Sequence, residues 1–261
     1  MRMSATRLQT YHTCPRQYRY RYVEALPTIL TGPLVFGRVI HETLCLIHQR
    51  SMMRGCPLDL AEGLEAFDRR WREALEGERP LFSTSDPSPR DYELLAGEIL
   101  CGYVLAQQGQ PPPLAVEFPF ELQWGEHVLN GFIDRIDEGE RGLILVEFKT
   151  GKRKPSPKDL RQDLQLSFYA YAAGLLFEQP VERLVYYFLR DQTPLVTHRT
   201  PEDFRHLCEG ILEPTVAAIE SERFPPRCGW WCRWCDYQAL CDAQGPESGF
   251  FPPEPAALGI A

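Results

Sequence analysis

The period of the hydrophobic pattern changes near the middle of the chain, and this change limits the possible folds most strongly. In the first hundred residues, apolar side chains recur at helical spacing, as in Phe36, Ile40 and Leu44, and a first helix that Ser4 can cap is predicted to run through to Tyr22. Three extended segments follow between about residues 114 and 150. VERLVYYFLR forms another after a helical stretch from about Pro157 to Phe177. The order helix, three strands, helix, strand, helix predicts an α/β fold in which helices cover a sheet.

Composition narrows the kind of protein. With 261 residues and a hydrophobic share of 44%, the chain is long and apolar enough to bury a substantial core. No run of about 18 apolar residues is present and the amino end lacks a signal-peptide pattern, so we expect a cytoplasmic protein without a membrane partner. A net charge of -8 argues against a protein that coats nucleic acid over its whole surface.

The segment GLILVEFKT carries an acid and a base on one face of a predicted strand. Side chains alternate in a strand, so Glu147 and Lys149 project together with Leu145. The preceding strand holds Asp134 between isoleucines. Two carboxylates could bind Mg²⁺ or Mn²⁺, with the lysine beside an attacking water. The alternative is a salt-bridged set on the solvent-facing side of a hairpin.

Four short motifs resemble those of RecB-like PD-(D/E)XK nucleases. Residues 131–134 (GFID) and 147–151 (EFKTG) resemble the family's GxxD and (D/E)xKTG motifs. Residues 37–41 (GRVIH) are similar to its GxxxH motif, and residues 165–169 (QLSFY) are similar to its QxxxY motif. The resemblance implies a restriction-endonuclease-like core, a mixed central sheet flanked by helices, with a helical amino-terminal part and a carboxy-terminal iron-sulfur patch.

The resemblance also implies roles for individual residues, with Mg²⁺ or Mn²⁺ as the catalytic ion. The implied metal ligands are His41, Asp134, Glu147 and the backbone carbonyl of Phe148. The implied catalytic residues are Lys149, Glu147, Asp134, Gln165 and Tyr169. The spacing of Gln165 and Tyr169 places both on one helix face, where they could meet DNA or brace the lysine.

Nine cysteines in a chain without a secretion signal make a disulfide framework improbable. The resembled family joins one distant amino-terminal cysteine to a CxxCx5C cluster, which implies that Cys14, Cys232, Cys235 and Cys241 hold a 4Fe-4S cluster. Such ligation would hold the carboxy-terminal segment against the first helix. A four-cysteine zinc site is the alternative. Cys228 could replace one ligand or remain a free thiol.

These expectations divide the chain into four parts. Residues 1–110 form a helical part that carries one cluster cysteine and the motif histidine. Residues 111–222 form the nuclease core, and residues 223–245 form a cysteine segment that packs on the first helix. Residues 246–261 form a Pro-rich tail.

The expected function is that of a deoxyribonuclease, an exonuclease on single-stranded DNA or DNA ends. The chain resembles CRISPR-associated iron-sulfur exonucleases most, which implies prespacer processing and CRISPR integrase partners. The alternatives are a DNA-repair nuclease and a non-catalytic DNA-binding assembly subunit, and oligomers remain possible. Tyrosines of the first helix could stack on unpaired bases. Expected DNA contacts are Arg16, Arg19, Lys152, Arg153, Lys154 and Arg161.

Overall fold

The amino-terminal half is helical apart from one two-residue strand. The computed structural model describes residues 1–243, so the predicted tail 246–261 lies outside the described residues. A π-helical turn, Arg19–Val23, follows the second helix. The elements of this half are β1 (Arg2–Met3), α1 (Ala5–Thr13), α2 (Pro15–Tyr18), α3 (Gly32–Arg54), α4 (Leu60–Gly77) and α5 (Pro89–Ala106).

The remaining elements alternate between strands and helices. A π-helical segment, His206–Leu212, joins the last two helices, and the chain then forms two 3-10 turns, Trp230–Trp234 and Gln238–Leu240. The elements are β2 (Ala115–Trp124), β3 (His127–Glu138), β4 (Leu143–Lys149), α6 (Pro157–Arg161), α7 (Leu164–Leu176), β5 (Val181–Phe188), β6 (Thr193–Thr197), α8 (Pro201–Arg205) and α9 (Glu213–Glu220).

The sheet is mixed, and β3 pairs with three of its other strands. β2 pairs antiparallel with β3 along one edge. The other edge of β3 is shared, because β4 pairs antiparallel with its carboxy-terminal end and β1 pairs parallel with Val128 and Leu129. β5 runs parallel to β4, and β6 closes the far side as an antiparallel strand. An α/β fold with a mixed sheet flanked by helices is therefore confirmed.

A hydrophobic core lies on each face of the sheet. On one face, Leu145 of β4 packs with Phe168 of α7 and Leu8 of α1. On the other, Phe148 packs with Ile40 of α3 and with residues of α4 and α5. Burying a side chain of this size contributes about 1.5–3 kcal/mol. Because β4 is covered on both faces, any polar group that it carries is held by a packed scaffold.

Two predicted helices are each interrupted by a local cap. Asp163 ends the stretch predicted from Pro157 to Phe177, because its side chain accepts a hydrogen bond from the Leu166 N–H and starts α7 anew. The first helix breaks at Cys14, which has an extended backbone and precedes Pro15. Within residues 1–243, none of the helices combines the length and apolar character needed to cross a bilayer.

Candidate active site

β4 places Glu147 and Lys149 side by side at its carboxy-terminal end. The predicted alternation is observed, since Leu143 and Leu145 face the α7 core while Val146 and Phe148 face the α3 core. Glu147 is buried, and Lys149 Nζ lies 3.1 Å from its Oε1. The strand therefore holds an acid and an ammonium in contact at the edge of the core.

Asp134 enters the site where two strands stop pairing. The β3–β4 ladder ends at Arg135 opposite Val146. Beyond it, the Phe148 N–H donates to Asp134 Oδ2 at 2.7 Å, so the carboxylate takes the place of a strand partner. The N–H and C=O of one strand residue point to the same edge, so the Phe148 carbonyl faces this gap as well. Asp134 is 8% exposed.

α3 brings His41 to the two strands. A Cβ on Gly37 would lie 3.2 Å from Thr150 Oγ1, so the glycine allows α3 to approach the end of β4 closely. One turn later, His41 Nδ1 lies 3.2 Å from Asp134 Oδ1. The GxxxH spacing thus has a geometric cause. The glycine lets α3 lie close to the end of β4, and the histidine one turn later reaches Asp134.

Glu117 belongs to the same cluster, although the sequence analysis missed it. Within the described part of the chain, one group of three ligand atoms lies within 4.8 Å of one another, and it consists of His41, Glu117 and Asp134. Glu117 has φ +45° in the middle of β2, a conformation that costs a residue other than glycine about 1–3 kcal/mol. The available signal was an acid within the apolar run AVEFPF.

Burial and neighbouring charges raise the pKa values of Glu147, Glu117 and His41. Burial, followed by the charge of Asp134, raises the pKa of Glu147 to about 7. Burial and Asp134 also raise the pKa of Glu117. Burial alone would lower the pKa of His41, but the carboxylates of Asp134, Glu147 and Glu117 raise it to about 9. The site therefore concentrates negative charge that a cation would neutralise.

Gln165 and Tyr169 brace the acid and the lysine. Gln165 Oε1 accepts from Lys149 Nζ at 2.9 Å, and Gln165 Nε2 donates to Glu147 Oε1 at 2.8 Å and to the Tyr169 hydroxyl at 3.2 Å. A Cβ on Gly131 would lie 2.9 Å from the Phe120 ring and 3.2 Å from the Tyr169 ring, so the GxxD glycine makes room for both rings. The sequence predicts that Gln165 and Tyr169 either contact DNA or brace the lysine. The contacts in the structure are those of bracing.

The donor set suits a hard divalent cation. Carboxylate oxygens with one imidazole nitrogen match the ligand preferences of Mg²⁺ and Mn²⁺, which also accept phosphate oxygens. His41, Glu117 and Asp134 could hold such an ion directly. Glu147 lies near enough for its charge to act on His41 and for the charge of Asp134 to act on it. The Phe148 carbonyl is on the strand edge from which the Phe148 N–H contacts Asp134.

Comparison with known proteins identifies the family. The family model described as the PD-(D/E)XK nuclease superfamily matches residues 2–242. The chain belongs to this superfamily. A provisionally assigned exonuclease from Eubacterium rectale has a similar fold, with a TM-score of 0.52, 11% identity, and coverage of 92% of this chain and 86% of that chain.

Two curated relatives are subunits of larger enzymes. An ATP-dependent helicase/deoxyribonuclease subunit of Clostridium tetani is 25% identical in an alignment of 214 positions, which covers 68% of this chain and 18% of that protein. An ATP-dependent helicase/nuclease subunit of Moorella thermoacetica is 38% identical over 72 residues, which is 27% of this chain and 5% of that protein. This PD-(D/E)XK chain spans less than a fifth of either relative.

The cysteine segment of this PD-(D/E)XK protein closes onto the break between α1 and α2. Its four cysteines line one cavity together with Cys14 of that break, and they are Cys228, Cys232, Cys235 and Cys241. Backbone N–H groups point at two of the sulfurs, from Arg227 to Cys14 Sγ at 3.3 Å and from Gly229 to Cys232 Sγ at 3.4 Å. The structure thus brings the four predicted cluster ligands together and adds Cys228 to them.

The predicted DNA contacts differ in how available they are. Lys152, Arg153 and Arg161 are exposed, and Lys154 pairs with Asp191. Arg19 pairs with Glu24.

Arg16 and two of the tyrosines near it are covered by the cysteine segment or by the core. Arg16 donates to the Phe224 carbonyl and pairs with Asp242, which leaves its side chain 19% exposed. Tyr11 and Tyr18 are 8% and 2% exposed, so stacking on unpaired bases would fall to Tyr20 or Tyr22, which are half-buried. The DNA contacts of this stretch stay predictions.

Proposed function

We propose that this PD-(D/E)XK protein is a divalent-metal-dependent deoxyribonuclease that hydrolyses phosphodiester bonds of single-stranded DNA or DNA ends. The convergence of His41, Asp134, Glu147 and Lys149 from one helix and two strands carries the proposal. Glu117 joins the predicted ligands as a fourth side chain at the cation site.

The residues divide the chemical work among themselves. A bound Mg²⁺ or Mn²⁺ polarises the phosphoryl group and lowers the pKa of a water. His41, Glu117, Asp134 and Glu147 would hold that ion, with the Phe148 carbonyl beside them. Lys149, fixed by Glu147 and Gln165, presents its ammonium where negative charge develops on the phosphoryl oxygens. Tyr169 holds the Gln165 amide in place.

We propose further that Cys14, Cys232, Cys235 and Cys241 hold a 4Fe-4S cluster with a structural role. The shared cavity and the N–H groups aimed at two sulfurs support this. Zinc sites usually take their cysteines as two close pairs, so one distant cysteine with three clustered ones favours the iron-sulfur cluster over zinc. Cys228 would then be a free thiol beside the cluster.

The DNA would approach along the exposed basic segment after β4. Lys152, Arg153 and Arg161 lie on the chain that leaves Lys149, and their charges would contact phosphates on either side of the cleaved bond. Prespacer processing with CRISPR integrase partners and a cytoplasmic location stay predictions. The similarity to helicase/nuclease subunits supports the repair and recombination alternative.

Purified protein incubated with Mn²⁺ and end-labelled DNA tests the proposal. We expect strand shortening that requires the metal and stops on chelation with EDTA. Comparison of 5′ and 3′ labels on single strands and duplexes would give the polarity and the preferred end. Labelled strands that stay intact with Mn²⁺, although the protein binds them, would instead support the non-catalytic assembly subunit.

A further inference from the structure

Tyr186 lies on β5 beside the acid and lysine of β4. In the parallel pairing of the two strands, Glu147 is opposite Tyr186 and Lys149 is opposite Phe188. Residues two apart share one face of a strand, so these four side chains project to the same side of the sheet. Tyr186 is 5% exposed, which means that the packing around the site fixes its ring.

The Tyr186 ring is the third partner of the lysine ammonium. Lys149 Nζ lies 4.4 Å from the ring centroid, well inside the range of about 6 Å for a cation–π interaction. Its two other partners are Glu147 Oε1 at 3.1 Å and Gln165 Oε1 at 2.9 Å. A carboxylate, an amide oxygen and an aromatic face together restrict a side chain that would otherwise sample many rotamers.

The Tyr186 hydroxyl acts on the same network through Gln165. It lies 3.5 Å from Gln165 Oε1, the oxygen that also accepts from Lys149, and the Asp163 carboxylate is a second acceptor for its proton. If the Gln165 amide were rotated, its NH₂ group would face the Lys149 ammonium and the Tyr186 hydroxyl, which are both donors. The hydroxyl therefore favours the orientation in which Gln165 Nε2 donates to Glu147. Burial raises the pKa of Tyr186, and the hydroxyl therefore remains a donor at neutral pH.

We propose that Tyr186 is a positioning residue for Lys149, with its ring holding the ammonium and its hydroxyl setting the Gln165 amide. The inference rests on the proposed nuclease function, because it assigns Tyr186 a part in the same site.

A fluorination series at position 186 tests the ring. Tyr186→Phe keeps the aromatic face, and mono-, di- and trifluorophenylalanine at this position withdraw electron density from the face with little change of shape. We expect kcat for Mn²⁺-dependent cleavage of end-labelled single-stranded DNA to fall stepwise, by about 10-fold over the series, while KM stays constant. A kcat that does not change along the series would overturn the proposal.

Two controls separate positioning from a general packing role. Tyr187 is the neighbouring tyrosine on the opposite face, where its ring meets those of Tyr103 and Phe148. The same series at Tyr187 should leave kcat unchanged. In a Lys149→Ala background, fluorination at position 186 should have no further effect, because the ammonium is gone. An equal decline at Tyr187, or a decline that persists without the lysine, would refute the assignment.

A measurement without turnover keeps this inference apart from the proposed function. If the unmodified protein cuts no DNA, the nuclease proposal fails, and the position of Lys149 can still be read by NMR. The methylene protons next to the Lys149 ammonium should resonate upfield of those of the exposed Lys158, because the first set lies over the Tyr186 ring. Coincident shifts, assigned with Lys149→Arg, would show that the contact does not form.

Discussion

The acid site and the cysteine cavity are held together in different ways. The acid-site side chains come from α3, β2, β3 and β4, and each of these elements packs into at least one of the two cores. The cysteine segment after residue 222 consists of short turns, and Tyr237 is the one large hydrophobic side chain that it buries within the described chain. Hydrogen bonds made by Arg16, Tyr20 and Tyr237 help to attach this segment to the first helices and the turn that follows them.

This contrast indicates that the cysteine segment depends on a bound group for its ordered structure, whereas the acid site does not. Folding alone positions the acids, because the sheet and its two cores determine where they point. The cysteine segment has little apolar burial of its own, so ligation by the cysteines would supply most of its local stability. Loss of the divalent cation should therefore leave the acid site formed, whereas loss of the cysteine-bound cluster should loosen the cysteine segment.

The largest expected effect is the loss of cleavage when one acid is removed. Asp134→Ala or Glu147→Ala should reduce Mn²⁺-dependent cleavage by at least about 10³-fold, because each removes a cation ligand and charge placed for the transition state. Iron content and visible absorption should stay at the unmodified level. Glu138→Ala, at the exposed end of the same strand, is the matched control. Mn²⁺-dependent cleavage retained by both acid variants would refute the assignment.

The next largest effect concerns the cysteine segment. Cys14→Ala and Cys232→Ala should each lose iron and visible absorption together, and trypsin should then cut rapidly at Arg227 and Arg233. Affinity of the acid site for Mn²⁺ should change by less than about 3-fold, because distant sites behave nearly independently. Cys101→Ala, an exposed thiol on α5, serves as control. Protein that is colourless and zinc-loaded after anaerobic purification would contradict the iron-sulfur proposal.

The affinity for Mn²⁺ should depend on pH at the acid site. The pKa values of about 9 for His41 and about 7 for Glu147 mean that both groups carry protons below those pH values, and the cation must displace them. Affinity is therefore lost as the pH falls through about 9, by up to about 10-fold per unit for each proton released. Calorimetry in buffers of different ionisation enthalpy would count the protons, and His41→Gln should reduce that count. Affinity that stays constant with pH would contradict the charge clustering.

The smallest expected effect is at Glu117, where replacement should raise the free energy of unfolding and weaken the binding of Mn²⁺. Glu117→Gly should relieve the left-handed backbone and raise the free energy of unfolding by about 1 kcal/mol. It should also weaken Mn²⁺ binding by about 10-fold, because a ligand is lost. Glu117→Gln keeps the backbone strain and is the matched control. Thermal melting and Mn²⁺ titration that both match the unmodified protein would show that Glu117 has no part in the site.

Much of the acid site could be predicted because its chemistry follows the strand period. Alternation alone placed Glu147 and Lys149 on one face, and the motif spacing on α3 predicted His41. Glu117 could not be found this way, because its side chain reaches the site through a positive φ that interrupts the alternation of β2. Such a conformation depends on the surrounding packing and leaves no periodic signal.

The fold could be predicted in its order of elements but not at its edges. β1 has two residues, too few to show a period, and β6 contains Pro194, which is compatible with an edge strand but weakens a strand pattern. The break at Cys14 was missed because a single extended residue interrupts an otherwise continuous helical pattern. Arg16 was assigned to DNA because the sequence does not show that residues near 224 and 242 cover it.

Anomalous diffraction at the manganese edge, from crystals grown with Mn²⁺, tests the central claim most directly. The predicted result is a strong peak bounded by His41, Glu117, Asp134 and Glu147, with the Phe148 carbonyl beside it and Lys149 alongside. A protein that binds Mn²⁺ in solution but shows its peak elsewhere, with these side chains directed away from it, would contradict the claim.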